Sequence, residues 1–125
     1  MTRSALTLAA VVLLAAGCGG NDRAGGTTTV PAGGSVRVIG KEYSFDPSTI
    51  VMRSSGTLRL TLENDGSLAH NLKLMRDGQD VGGTPSFPGG ESRSARVRVE
   101  RGSYEYVCTV GDHAELGMKG TLKVE

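Results

Sequence analysis

Apolar and polar residues alternate in short runs from Ser35 to the C-terminus, and turn-forming residues interrupt these runs at short intervals. Leu58, Leu60 and Leu62, for example, alternate with Thr and Arg until Asn64-Asp65-Gly66. Because successive side chains of a strand point to opposite faces, the alternation predicts strands that are buried on one face. No segment of this part of the chain has helical periodicity of useful length. The pattern predicts an all-β sandwich of seven or eight strands.

One apolar position marks each predicted strand: Val36, Ile50, Leu60, Leu72, Val97, Tyr106 and Leu122. Between the fourth and fifth of these strands, residues 76–90 are predicted to form a long irregular connection. Residues two apart in a strand share a face, so His70 shares the inward face of Leu72, and Cys108 shares that of Tyr106. Both side chains are therefore expected to point into the core at one end of the sandwich.

The first 17 residues have the pattern of a signal peptide. Arg3 precedes an apolar run over residues 5–16, which is shorter than the ~20 residues that a membrane-spanning helix needs. The run ends in Leu14-Ala-Ala-Gly-Cys18, which resembles the lipobox of bacterial lipoproteins, where the cysteine is acylated and becomes the mature N-terminus. An ordinary secretory peptide, cleaved nearby, is the alternative. The resemblance implies an exported protein that is anchored to the lipid bilayer through Cys18.

Three segments follow from this pattern: a lipoprotein signal peptide over residues 1–17, a lipidated N-terminus with a flexible linker over 18–34, and one domain over 35–125. The linker is predicted because residues 19–34 are rich in Gly and Thr and show no period of two or 3.6.

The charge balance excludes some classes of partner. Removing Arg3 with the signal peptide leaves 13 basic residues against 13 acidic ones. A net charge near zero gives little electrostatic steering, and no basic stripe with aromatic residues is present. We therefore expect no nucleic-acid partner.

Side chains that commonly bind metals are regularly spaced near the C-terminus. Four residues separate Cys108 from His113, and four more separate His113 from Met118. The other histidine of the sequence is His70. Two imidazoles, one thiolate and a weak thioether form the ligand set of a blue-copper site, because soft sulfur suits Cu(I) and imidazole suits both oxidation states. These four residues are therefore predicted to be metal ligands.

Other interpretations of the same residues explain less. An inward-facing histidine or cysteine is often an ordinary core residue. Structural zinc sites use four Cys, His or carboxylate ligands, so Met118 would have no role. A nucleophilic Cys108 with His113 or His70 as its base also leaves Met118 unexplained, and no protease signature is present. The pair Tyr106 and Cys108 is typical of immunoglobulin strands, but no second core cysteine is available for their disulfide.

Residues 35–125 resemble the cupredoxin family of blue-copper proteins, which includes plastocyanin and azurin. The stretch Gly102-Ser-Tyr104-Glu-Tyr106-Val-Cys108-Thr-Val-Gly-Asp-His113 carries this resemblance together with His70-Asn71. The ligand spacing is most similar to that of auracyanin and rusticyanin. The resemblance implies a Greek-key β-sandwich that binds one type 1 copper ion.

The resemblance also implies roles for single residues. His70, Cys108 and His113 would bind copper equatorially, and Met118 would be the axial ligand. Asn71 would tie the His70 loop to the Cys108 loop. Because the loop continues with Thr109 and Val110 rather than proline, a Val110 amide hydrogen bond to the thiolate is also expected.

The function expected from these residues is one-electron transfer between redox proteins of the membrane or periplasm, by a monomer that is not an enzyme. His113 is the expected electron port, and Leu68, Leu116 and Met75 are expected to form an apolar docking rim. The alternative is an exported protein that buffers or delivers copper. Copper enzymes with cupredoxin domains need further histidine-bound copper, and both histidines here are already used.

Overall fold

The computed structural model describes residues 25–125, and this part of the chain forms ten strands and no helix. The predicted all-β class is confirmed. The strands are β1 (Thr27–Val30), β2 (Ser35–Lys41), β3 (Ser44–Asp46), β4 (Thr49–Met52), β5 (Gly56–Asn64), β6 (Lys73–Arg76), β7 (Gln79–Gly83), β8 (Ser92–Val99), β9 (Gly102–Val107) and β10 (Lys119–Val124).

The strands form two sheets, one six-stranded in the order β1-β4-β10-β9-β6-β7 and one four-stranded in the order β3-β2-β5-β8. Strand β4 runs parallel to both β1 and β10, and β2 runs parallel to β5. The remaining pairs are antiparallel. The two sheets face each other as a sandwich, because each presents its alternate apolar side chains to the interior.

The alternation predicted from the sequence is visible in the burial of β5. Leu58, Leu60 and Leu62 are fully buried, whereas Thr57 and Arg59 are exposed. The same rule holds in β9, where Tyr104 and Tyr106 are buried and Ser103 and Glu105 are exposed. The phase of the strands therefore fixes which residues can reach the interior.

Three strands were not predicted: β1, β7 and the three-residue β3, which pairs with the end of β2. The predicted linker over 18–34 was wrong in its last part, because Thr27–Val30 form β1 and pair with β4. Its β-branched residues favour a strand, and Val30 is buried. The predicted irregular connection over 76–90 contains β7, which forms a hairpin with β6 around Asp77 and Gly78. The alternation is weak in β7 because it lies at the sheet edge and is mostly exposed.

The predicted signal peptide and Cys18 lie outside the described residues. Within residues 25–125, none of the chain forms a helix with the length and apolar character required to cross a bilayer.

The end of β9 is anchored by Tyr106, two residues before Cys108. The Tyr106 hydroxyl donates to the Pro47 carbonyl over 2.7 Å, and burial raises the pKa of this phenol. Its ring lies directly over Gly120, the partner residue in β10, where a Cβ atom would collide with the ring. These contacts fix the strand from which the next inward residue, Cys108, enters the interior.

Candidate metal centre

Three ligand-type side chains meet at one end of the sandwich. His70 lies in the β5–β6 connection and pairs with Phe87 through two backbone hydrogen bonds of 3.2 and 3.1 Å. Cys108 directly follows β9, and His113 lies in the loop between β9 and β10. Their Nδ1 and Sγ atoms form a buried cluster.

The distances within this cluster fit a single metal ion. The two Nδ1 atoms are 3.2 Å apart, and the Cys108 sulfur is 3.8 Å from His70 Nδ1 and 3.6 Å from His113 Nδ1. A point equidistant from these three atoms lies about 2.1 Å from each, within the range of about 2.0–2.3 Å that Zn²⁺, for example, keeps to His nitrogen and Cys sulfur. The cluster could therefore hold one ion in a trigonal arrangement without moving its side chains.

Backbone hydrogen bonds fix the loop that carries two of these side chains. The Cys108 amide donates to the Met118 carbonyl over 3.1 Å, and the Met118 amide donates to the His113 carbonyl over 3.0 Å. Gly111 has a φ of 50°, a value that non-glycine residues rarely adopt. The spacing of four and four residues thus closes a compact loop whose two ends meet at Cys108 and Met118.

Met118 is also placed at this end. Its side chain is fully buried, and its methyl group lies so close to Gly40 that a Cβ there would be 3.1 Å away. The backbone bonds to Cys108 and His113 hold it beside the cluster. Gly40 therefore leaves the space that the thioether side chain occupies.

The three ligand-type side chains differ in their access to solvent. His70 and Cys108 have 0% exposed surface, whereas His113 keeps 8%. The Tyr43 ring packs against His113 with 5.0 Å between ring centroids. His113 is thus the member of the cluster that reaches the surface.

Asn71 connects the two loops that supply the cluster. Its Oδ1 accepts a hydrogen bond from the Thr109 amide over 2.8 Å, and its Nδ2 donates to Thr109 Oγ1 over 2.8 Å. The same Nδ2 lies 3.3 Å from Ser86 Oγ. Because His70 and Cys108 are the immediate neighbours of Asn71 and Thr109, this pair of bonds sets their separation.

Val110 lies in the loop between Cys108 and His113, and its carbonyl accepts the His113 amide over 3.1 Å. The expected hydrogen bond from its amide to the Cys108 thiolate stays a prediction. The loop turns at Val110 to bring His113 back over the cluster, so this residue shapes the loop through its carbonyl.

The three residues of the predicted docking rim, Leu68, Leu116 and Met75, do not all lie near the cluster. Leu68 and Leu116 are 43% and 52% exposed; Leu68 lies two residues before His70, and Leu116 lies three residues after His113. Met75 instead lies in β6, next to the edge strand β7, where it pairs with Glu105 of β9 and lines a groove with Asp77. Of the three residues, the two leucines are therefore the ones that are exposed and lie near the cluster residues in the chain.

Glu42, in the turn between β2 and β3, was missed by the sequence analysis as a site residue. Its Oε1 lies 3.1 Å from His70 Nε2 and accepts the Leu68 and Ser67 amides over 2.7 and 2.8 Å. These donors, the Leu68 amide first, lower the pKa of Glu42 to about 2. No periodic signal marks this residue, because its partners lie more than 20 residues away in the chain.

The family comparison matches most of the chain. The model of copper-binding proteins of the plastocyanin/azurin family matches residues 32–125. A copper-resistant cuproprotein, CopI of Rubrivivax gelatinosus, is 27% identical over 108 residues, which cover 72% of this chain and 66% of that protein. The chain thus spans slightly less than two thirds of the length of this relative.

Solved structures of similar fold include auracyanins and rusticyanins. Auracyanin of Roseiflexus castenholzii superposes with a TM-score of 0.66 at 18% identity, over 81% of this chain and 98% of that one. Auracyanin A of Chloroflexus aurantiacus, a "blue" copper protein, gives 0.65 at 20% identity over 77% and 100%. Rusticyanin of Thiobacillus ferrooxidans gives 0.60 at 21% identity over 78% and 82%. These likenesses confirm the predicted β-sandwich fold.

Proposed function

Because the chain belongs to the plastocyanin/azurin family of copper-binding proteins, we propose that it is a one-electron carrier whose copper is bound by His70, Cys108 and His113, with Met118 as axial ligand. One type 1 copper ion is the cofactor of this chain. Bound by these residues, copper would alternate between Cu(I) and Cu(II) and would so supply the uptake and release of one electron.

The observation that carries this proposal is the convergence of both Nδ1 atoms and the Cys108 sulfur at bonding distance from one point. Backbone hydrogen bonds hold Cys108, His113 and Met118, and the Asn71 bonds hold the His70 loop against the Cys108 loop. A ligand set that is fixed in this way changes little between oxidation states. When the ligand geometry changes this little on reduction and oxidation, the reorganisation energy is small, and electron exchange is fast.

His113 is the proposed port for the electron, because its ring is partly exposed while the other two ligands are not. Leu68 and Leu116 would provide the apolar contact for a redox partner around it. An apolar rim allows close approach without the slow release of bound ions or ordered water. We propose no catalytic role, since the only two histidines of the sequence are used by this single site.

A second candidate function is copper buffering or delivery. It is favoured by the similarity to a protein described as a copper-resistant cuproprotein. The two functions make opposite demands: an electron carrier must keep its copper through each redox cycle, whereas a delivery protein must release it.

The experiment that separates them is repeated reduction and oxidation of the copper-loaded full-length protein in the presence of a Cu(I) chelator. We expect the blue colour to return after every cycle while the chelator stays free of copper. Transfer of copper to the chelator on reduction, with permanent loss of colour, would instead support delivery.

We further propose that the chain is exported and anchored to the bilayer through Cys18. Because β1 begins at Thr27, only eight residues separate Cys18 from the sheet, which limits the tether to roughly 30 Å at full extension. The copper site would thus act close to the membrane surface.

Replacing Cys18 with alanine is expected to move most of the protein from the membrane fraction to the soluble exported fraction, or to stall its processing. Two or more acyl chains are expected on the wild-type protein, since a single chain gives only marginal membrane binding. Cys108→Ser is the matched control, because it removes the other cysteine and should leave the distribution unchanged. Wild-type protein without any attached lipid in its mass spectrum would refute the anchor.

A further inference from the structure

The ring of His70 has a partner on each of its two nitrogens. Nδ1 faces the cluster, at 3.8 Å from the Cys108 sulfur, and Nε2 faces Glu42 Oε1 at 3.1 Å. A carboxylate can only accept hydrogen bonds. The hydrogen bond to Glu42 therefore requires a proton on His70 Nε2. The lone pair of Nδ1 is then free to bind a metal ion.

The place of the Glu42 carboxylate is fixed by the loop that follows β5. Two backbone amides of this loop, those of Ser67 and Leu68, donate to the same oxygen that faces His70. A Cβ on Gly66 would collide with the carboxylate, so the glycine leaves the space that the carboxylate occupies. The loop is thus shaped around this acidic group.

Asn64 in turn holds this loop. Its fully buried side chain accepts the Gly66 amide over 3.0 Å and donates to the Leu68 carbonyl over 2.9 Å and to the Phe87 carbonyl over 3.1 Å. Since Phe87 also pairs with the His70 backbone, the same side chain links the carboxylate's donors to the His70 segment. If the carboxylate moved away from His70, it would also lose its hydrogen bonds to the Ser67 and Leu68 amides of this loop.

We propose that Glu42 is a positioning residue of the copper site, which fixes the Nε2-protonated form of His70 and stabilises Cu(II) relative to Cu(I). This inference rests on the proposed copper site at His70. The carboxylate keeps the ring in the orientation that directs Nδ1 to the metal, and its negative charge increases electron donation by the imidazole. The more highly charged Cu(II) gains more from this donation, so Glu42 lowers the reduction potential.

The test is the reduction potential of Glu42→Gln, whose amide oxygen can still accept the Ser67 and Leu68 amides but carries no charge. We expect Cu(II) affinity to fall about 10-fold to 100-fold with little change for Cu(I). The potential should then rise by about 60–120 mV, at 59 mV for each tenfold change in a one-electron couple. Glu115→Gln is the matched control, because it removes the same charge from an exposed position in the His113 loop.

Gly66→Ala tests the same proposal without changing any charge. The added methyl group should displace the carboxylate from His70 and raise the potential in the same direction. A potential that equals the wild-type value in both variants, with the blue band intact, would overturn the role of Glu42 and leave the copper site standing. A wild-type protein that binds copper without a blue band would instead overturn the proposed function.

Nuclear magnetic resonance of the diamagnetic Cu(I) protein provides a measurement that needs no variant. We expect a slowly exchanging His70 Nε2 proton that is shifted downfield by the carboxylate. A proton on His70 Nδ1, or an Nε2 proton that exchanges as fast as one exposed to solvent, would contradict the proposal.

Discussion

Replacement of Cys108 by serine is expected to abolish the blue colour of the copper-loaded protein. The colour of such sites comes from charge transfer between thiolate sulfur and Cu(II), and a serine hydroxyl is a harder donor that cannot supply it. Absorption spectra of the two proteins, each with one equivalent of Cu(II), provide the measurement. The intense band should be lost completely, and only weak absorption should remain.

The serine variant should still fold, because serine is nearly the same size and its hydroxyl can hydrogen-bond to the adjacent imidazoles. Far-ultraviolet circular dichroism checks this point. A serine variant that stays blue would show that Cys108 is not the ligand.

Changes at Met118 are expected to move the reduction potential in opposite directions. Met118→Gln offers an oxygen donor that favours Cu(II), so the potential should fall. Met118→Leu removes the weak thioether donor that slightly stabilises Cu(II), so the potential should rise. We expect each variant to change the ratio of Cu(II) affinity to Cu(I) affinity at least tenfold. A tenfold change shifts the potential of a one-electron couple by about 59 mV. Both variants should remain coloured, because His70, Cys108 and His113 still bind the metal.

Met52→Leu is the matched control for the Met118 variants. Met52 is also fully buried, but it pairs with Val124 at the last residue of β4, at the opposite end of β10 from Met118. A Met-to-Leu change in a core costs less than about 1.5 kcal/mol, so each leucine variant should fold. Equal potentials in the wild type and both Met118 variants would show that Met118 is only a core residue.

The strand faces could be predicted from the sequence because alternation is a local property. Leu58, Leu60 and Leu62 share an inward face in any sandwich that buries them, whatever their partners. Strands β1 and β7 lie at opposite edges of the six-stranded sheet and bury few side chains. Their pairing is decided by neighbours far away in the chain, which periodicity does not show.

The metal cluster could be predicted because its side chains are rare: the sequence has two histidines and two cysteines. Glu42 could not be singled out in the same way, as it is one of many acidic residues. Its contact with His70 depends on the turn after β2 reaching the loop after β5, and those strands pair in parallel. The contact between Glu42 and His70 therefore becomes apparent only in the folded chain.

The central claim, that this chain holds one copper ion through His70, Cys108 and His113, is tested most directly by titrating the full-length protein with Cu(II). Metal content, visible absorption and electron paramagnetic resonance are measured on the same samples. We predict that an intense blue band grows until one copper is bound per chain, with the small hyperfine splitting that a covalent copper–thiolate bond produces. Copper that binds without this band, or with the wide splitting of an ordinary Cu(II) complex, would contradict the claim.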